Sequence, residues 1–259
     1  MTRRRDRSAR QGRLYIVGIG PGSLEHLSRK AYGSLTDSEV IVGYRTYIKL
    51  LGNLTVGKEV ITSGMTQEKK RVKLAIEKAL EGKRVCLVSS GDSGVYGMAG
   101  LALEFLKPEN AARITIEIIP GIMAATACAS LLGAPLANDF AVISLSDLLT
   151  DRLKIEERLQ AAAKADFVIV LYNPKSKKRI SLLERAWKII MKHRSPETPV
   201  GIVKNAYRER EEVSLISLNE APSFKDIDMV TTIIVGNQKT FVKNGYMVTP
   251  RGYDLEGKQ

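Results

Sequence analysis

Three segments of this chain concentrate residue types that could do chemistry: "GIGPG" (18–22), "SSGDSGVYGMAG" (89–100) and "IIPGIMAATACAS" (118–130), each behind a short β-branched run. A glycine loop between a strand and a helix is the usual start of a dinucleotide site, which needs G-x-G-x-x-G and an acidic residue about twenty positions on. Here Gly18, Gly20 and Gly22 fall at G-x-G-x-G, and Ser23 stands where the last required glycine belongs. Pro21 removes a backbone donor that a pyrophosphate would use. Asp37 and Glu39 precede the next strand, which ends in Gly43 and Tyr44 with no acidic residue to hold a ribose. The spacing therefore excludes a nicotinamide site and leaves a tight turn.

The second loop offers more. Gly91, Gly94 and Gly97 let the backbone approach a ligand closely, and Asp92 places an acceptor at a strand's carboxyl end. In the third segment Pro120 and Gly121 form a turn, and small residues then open a helix whose free N–H groups could meet a carboxylate. Together the two outline a pocket for a small molecule with adenosine-like and carboxylate parts.

Other chemistries find little material. With only His26 and His193, a zinc site or a serine triad has almost no ligands or bases to draw on, and no metal is expected. Cys86 and Cys128 lie in apolar runs without metal or redox spacing and read as buried, inert thiols. No apolar run is long enough to cross a membrane, and the basic start "MTRRRDRSARQ" lacks the apolar core of a secretory signal, so residues 1–11 read as a disordered basic tail. The net charge of +12 favours an acidic partner. A nucleic-acid-binding protein is the alternative of a different class, but no basic helix with interleaved aromatics supports it, and a small polyanion accounts for the charge equally well.

The elements that must position these loops alternate along the chain. Strands are expected at "RLYIVGI", "SEVIVGY", "RVCLVSS", "RITIEII", "FAVISLS", "DFVIVLY", "PVGIVKN", "EEVSLIS" and "MVTTIIVG". Between them, Val72, Ala75, Ile76, Ala79 and Leu80 share one face of a helix over 66–81, with Lys69, Lys70, Lys73, Glu77 and Lys78 turned to water and Gly82 as the stop. Helices are also expected over 95–106 and 176–192. This alternation predicts an α/β fold with mainly parallel strands in the first half. "GIVKNAYREREEVSLISL" reads as an antiparallel hairpin in a mixed second sheet, and Gly133 and Pro135 suggest a boundary within 132–139. Two α/β domains, 12–135 and 136–259, follow the tail.

The ordered set of motifs resembles the tetrapyrrole (corrin and porphyrin) methylases: the "GIGPG" start, the G-D-x-x-x-Y-G loop and the later "PG" turn. "VGYRTYIKLL", "VISLSDLLT", "LYNPKSKKR", "DMVTTIIVGNQKT" and "VTPRGY" are similar, within that family, to the precorrin-3B C(17)-methyltransferases of cobalamin biosynthesis; the likeness runs from Gly12 to Tyr253. Ser93 departs from it, standing where the family usually has proline. The resemblance implies two α/β domains of the tetrapyrrole methylase type with S-adenosylmethionine bound between them. It also implies a cytoplasmic homodimer without nucleic-acid or membrane partners, and methylation of precorrin-3B or its cobalt form at ring carbon 17 with ring contraction to precorrin-4. A methylase acting at another ring position is the nearest alternative.

Carried onto matching positions, the resemblance implies donor contacts from Gly91, Asp92, Ser93, Val95, Tyr96, Met123, Ala124, Asn173, Asn205, Ala206 and Thr232. Pro21, Arg45, Ser144, Ser146, Lys175 and Arg251 would meet the polycarboxylate ring, with Lys177, Lys178 and Arg179 as further cations. Ring contraction needs a proton moved, for which Asp147 is the first candidate and Tyr44 the second. Asp147 could instead cap the helix that follows it. His26 reads as a helix-surface residue rather than a base.

Overall fold

The structure, a computed structural model, describes residues 11–175 and 181–254. The chain divides into two compact units, one ending at Met123 and the other beginning at Ala124. In the first, β1 (Gly12–Gly18), β2 (Val40–Tyr44), β3 (Glu59–Ser63), β4 (Arg84–Ser89) and β5 (Ile114–Ile119) form one sheet in the order β3-β2-β4-β1-β5. Every pairing in it is parallel. The crossovers carry α1 (Arg29–Asp37), α2 (Arg45–Leu50), α3 (Glu68–Leu80), α4 (Ala99–Phe105) and α5 (Pro108–Ala111).

Both sheet faces are covered, which is why its strands read as near-continuous apolar runs. Leu14, Ile16, Val42, Val85 and Leu87 pack against Val72, Ala75, Ile76 and Ala79 of α3 and Ala99 and Ala102 of α4. On the opposite face Tyr15, Val17, Ile41, Cys86 and Val88 pack against Ala31 and Leu35 of α1 and Ile48 of α2. The helix expected over 66–81 is α3, and Gly82 leaves it at φ +85°. The helix expected from residue 95 begins only at Ala99. Residues ahead of it are held as turns, with the Met98 N–H on Ser89 Oγ at 3.1 Å and the Ala99 N–H on the Ser93 carbonyl at 2.9 Å.

The second unit opens with α6 (Ala124–Leu132) and the short β6 (Gly133–Ala134), and continues through β7 (Phe140–Ser144), α7 (Arg152–Lys164), β8 (Val168–Tyr172) and α8 (Ser181–Ile190). Next come β9 (Pro199–Lys204), β10 (Glu212–Ser217), β11 (Thr231–Val235), β12 (Phe241–Lys243) and β13 (Tyr246–Val248). Its main sheet is mixed, in the order β10-β9-β11-β8-β7, with β7 parallel to β8 and the other pairs antiparallel. The β9–β10 hairpin is the one expected from its alternation and charged turn. A small sheet β12-β13-β6 was not anticipated. The unit begins ahead of Gly133 and Pro135 because α6 packs on β9, β10 and β11.

The order of the first sheet places the ends of β4, β1 and β5 side by side. The chain runs outward from β1 to β2 and β3, then returns to insert β4 beside β1 and add β5 on its far side. Such a reversal opens a crevice at the strands' carboxyl ends. The three segments singled out by composition are the loops there, and they touch. A Cβ on Gly121 would lie 2.3 Å from the Gly91 carbonyl oxygen and 2.6 Å from that of Gly18.

Gly121→Ala is therefore expected to destabilise the protein by about 3 kcal/mol or more, since rigid backbone must move. Gly33→Ala, in α1 with nothing within 4 Å of the added carbon, should be neutral or stabilising by up to about 1 kcal/mol. Thermal unfolding of the two variants checks the contrast.

Candidate functional site

The loops after β1 and β4 bind each other by two backbone hydrogen bonds: Gly20 N–H to the Gly91 carbonyl at 3.1 Å, and Gly91 N–H to the Gly20 carbonyl at 2.7 Å. Gly20 and Gly91 adopt φ of +69° and +65°, a conformation glycine enters without a Cβ penalty. These amides are committed to one another, and the chain continues into a short 3-10 turn at 24–26 before α1 begins at Arg29. "GIGPG" is thus a structural brace and has no phosphate-cradling geometry. His26 is half-buried in that turn.

Asp92 ties in the third loop. Its Oδ1 accepts the Gly94 N–H at 2.7 Å and its Oδ2 the Gly121 N–H at 2.9 Å. Ser93 is fully buried, and its hydroxyl donates to the Ile119 carbonyl at 3.1 Å. Ser93 thus ties the loop to the end of β5, and no part of it is exposed. Pro21 is buried, Val95 half-buried, and Tyr96 stands 61% exposed at φ +53°.

Beside this brace, within the first unit, lies a cavity of about 160 Å³ lined by Tyr44, Tyr47, Glu68, Arg71, Tyr96 and Met98 among others. The Tyr44 and Tyr47 rings meet edge to face at 5.1 Å, and the Arg71 guanidinium stands 5.9 Å from the Tyr44 ring centroid. Arg71 is 4% exposed. Its Nε donates to Ser63 Oγ at 2.8 Å, Nη2 to the Gly64 carbonyl at 3.0 Å and Nη1 to Met98 Sδ at 3.6 Å. Burial lowers its pKa from the ordinary arginine value, with Glu68 and the two tyrosines opposing. Arg45, named from sequence, is exposed at the start of α2. Arg71 was missed, although a charged residue one turn ahead of Ala75 on the buried face of α3 was a readable signal.

In the second unit the candidates gather at two places. At the adjacent ends of β7 and β8, Ser144 Oγ accepts from Asn173 Nδ2 at 2.9 Å and from the Ser146 N–H at 3.3 Å. Asp147 follows and pairs with Arg152 Nε at 2.8 Å. The cap of α7 is Asp151, whose carboxylate accepts the Leu153 N–H at 2.8 Å, so Asp147 is not the cap. At the second place, Tyr172 accepts the Ala125 N–H in the first turn of α6 at 2.7 Å, next to Met123 and Ala124. Farther along α6, Ser130 Oγ and the Tyr207 hydroxyl lie 2.8 Å apart. Asn205, between β9 and that tyrosine, donates its N–H to the Val230 carbonyl at 3.2 Å, with Ala206 following it. Thr232 is buried. Lys175 is half-buried and Arg251 exposed; Lys177, Lys178 and Arg179 lie outside the described residues.

The model of the Tetrapyrrole (Corrin/Porphyrin) Methylases matches residues 13–222. The chain belongs to this family.

Among relatives of this methylase, the "Cobalt-factor III methyltransferase" of Priestia megaterium is 48% identical over 94% of the chain, which spans 45% of that longer protein. The "Probable cobalt-factor III C(17)-methyltransferase" of Salmonella typhimurium is 48% identical over 93% of the chain and 100% of its own length. The "Precorrin-3B C(17)-methyltransferase" of a Sinorhizobium species is 35% identical over 93% and 97%. Of solved structures, the methyltransferase CobJ superposes with a TM-score of 0.87 at 34% identity, over 92% of this chain and 100% of that one. The fold is also that of a Thermus thermophilus uroporphyrin-III C-methyltransferase complexed with S-adenosyl homocysteine, at TM-score 0.64, 23% identity and 87% and 97% coverage.

This methylase holds no group of three or more His, Cys, Asp or Glu side chains suited to a metal among its described residues, and none of its helices there is long and apolar enough to cross a membrane. Burial pushes the Cys86 thiol up to about 12 and the Cys128 thiol up to about 11, so neither is a nucleophile near neutrality.

Two outcomes follow. Asp92→Asn keeps one acceptor oxygen for two N–H donors, so it should cost about 1–3 kcal/mol in thermal unfolding. Asp92→Glu keeps both oxygens but sets them one methylene too far out, and should not recover the wild-type stability. The raised thiol values favour the neutral form in the folded protein. Their contribution is therefore complete below the ordinary thiol value of 9.0 and lost as pH rises through about 11 to 12. Denaturant unfolding should show that loss setting in above pH 9.0, reduced in a Cys86→Ala, Cys128→Ala double variant.

Proposed function

We propose that this methylase transfers a methyl group from S-adenosylmethionine to carbon 17 of a precorrin-3B-type ring, with cobalt-factor III as the first candidate substrate, and contracts the macrocycle. The observation that carries this is the 48% identity to a cobalt-factor III C(17)-methyltransferase along the whole of that relative. The metal-free ring is the second candidate, since the relative named for it shares 35%.

The residues suit the donor. Tyr96, Asn173 and Asn205, three of the positions named for it from sequence, all hold φ of +53°. Asparagine enters this conformation more readily than other non-glycine residues, and for tyrosine it is strained, a feature that recurs at ligand sites. With the backbone of Gly91 to Val95, Met123 and Ala124, and with Ala206 and Thr232, they offer mostly neutral hydrogen-bonding groups suited to adenine, ribose and an amino acid. S-adenosylmethionine, when bound, supplies an electrophilic methyl on a sulfonium sulfur.

What the chain itself contributes is position. The glycine and Asp92 brace holds the loop after β4 in one conformation, so a ligand on it is placed without further ordering cost. Ser144 and Asn173 lock each other at the ends of β7 and β8. Asp147, held against Arg152 beside them, and Tyr44, on the cavity of the first unit, are the groups offered to move a proton. Pro21, Ser146, Lys175, Arg45 and Arg251 are the remaining candidates for the ring and its acid arms. The reading includes a cytoplasmic homodimer.

Purified protein given S-adenosylmethionine and cobalt-factor III should yield a product heavier by one methyl group, whose carbon NMR shows a contracted ring. It should bind S-adenosylhomocysteine in calorimetry. Folded protein that binds none, or a product methylated without contraction, would refute the assignment.

A further inference from the structure

We propose that Arg71 is the seat of a carboxylate subsite: the two N–H groups of its guanidinium left without an acceptor receive one acid arm of the tetrapyrrole in the cavity beside Tyr44 and Tyr47. This rests on the tetrapyrrole reading above and names a residue that reading did not contain.

Two arginines are buried among the described residues, and they differ in one respect. Arg194 donates to the carbonyls of Gly236, Ala163, His193 and Phe167 and pairs with Asp166 at 3.1 Å, so its charge is neutralised internally. Arg71 has no carboxylate within ion-pair distance among the described residues. Of its five N–H groups, two are satisfied by Ser63 and Gly64 and a third by the weak acceptor Met98 Sδ. A buried guanidinium stays charged, and burying a charge without a paired carboxylate is strongly unfavourable. The missing partner has room. The adjoining cavity of about 160 Å³ far exceeds the roughly 10–15 Å³ that one water needs.

The walls specify what fits. Ser63 and Gly64 hold the guanidinium fork from behind, so it is oriented before any ligand arrives. The Tyr44 and Tyr47 rings offer apolar faces to a flat conjugated ring next to its arm. Ser90, Tyr96 and Gly97, from the loop assigned to the methyl donor, line the same cavity, so an arm anchored at Arg71 fixes where the ring stands relative to that loop. Glu68 also lines it, half-buried, and its charge opposes an incoming carboxylate. The subsite thus sets the attraction of Arg71 against the repulsion of Glu68. Exposed cations such as Arg45 and Arg251 compete with water and salt and contribute little each.

A carboxylate could also come from the methionine end of the donor, and the experiment separates the two. Steady-state methylation of cobalt-factor III and calorimetry with S-adenosylhomocysteine are run on wild type, Arg71→Met, Arg71→Lys and Glu68→Gln. Arg71→Met is expected to raise the tetrapyrrole KM by roughly ten- to a hundredfold, with kcat within a few-fold and S-adenosylhomocysteine affinity unchanged. Arg71→Lys should recover part of the loss, and Glu68→Gln should lower KM. An unchanged KM in folded Arg71→Met overturns the subsite, and an equal loss of S-adenosylhomocysteine affinity overturns its assignment to the ring. Should both Arg71 variants fail to fold, Glu68→Gln decides, and a KM that does not fall is fatal to the proposal. Wild type without activity on the ring would instead sink the function reading, and this inference with it.

Discussion

Three backbones meet at the ends of β4, β1 and β5 with no side chain between them, and the candidate site of the first unit hangs from that contact. Gly18, Gly91 and Gly121 approach so closely that a Cβ on Gly18 or Gly121 would lie 2.3–2.9 Å from backbone atoms of a neighbouring loop. Asp92 then bridges two of the loops with one carboxylate. Everything beyond inherits this rigidity: the strained Tyr96, the turns that delay α4, and one wall of the Arg71 cavity. Loops otherwise carry most of a protein's mobility, and here three of them brace each other into a fixed edge.

Charge is sorted by the same logic. Several surface lysines and arginines are paired with carboxylate: Lys78 and Lys83 with Glu59, Arg84 with Asp37, Lys204 with Asp226. Exposed pairs of this kind are screened and add little to stability. The net positive balance therefore says that an acidic partner is attracted, without saying where it is held. The place is indicated by the guanidinium that is buried and left without a counter-ion, where the low dielectric makes a partner worth most.

The main-sheet strands were legible because a parallel sheet covered on both faces demands apolar runs, and "RLYIVGI" and "RVCLVSS" are such runs. Helix α3 was legible because its apolar residues recur at helical spacing. Strand β3 escaped notice: Glu59, Val60 and Thr62 of this edge strand are exposed and Ile61 only half-buried, so no apolar run marks it. The small sheet β12-β13-β6 escaped for a related reason, since two-residue β6 carries no periodicity and is a strand only through its pairing with β13. The ordered loops of the site were also legible, because glycine and proline mark them whatever the fold. Arg71 was harder to read, because a cation in a helix is normally solvated, and only its place one turn ahead of Ala75 on the buried face marks this one as facing inward.

Residue types and their periodicity were enough to establish two α/β units, the exclusion of a dinucleotide fingerprint, the inert thiols and the likeness to the tetrapyrrole methylases, since each depends on local preference or a linear pattern. Which amides remain available, which carboxylate ties two loops together, that Asp151 and not Asp147 caps α7, and which buried arginine has no carboxylate at ion-pair distance among the described residues all emerged from the folded chain. These depend on groups far apart in sequence, such as Asp92 and Gly121 or Arg71 and Met98. A hydrogen bond or an uncompensated charge belongs to a position in space, and strand order determines who the neighbours there will be.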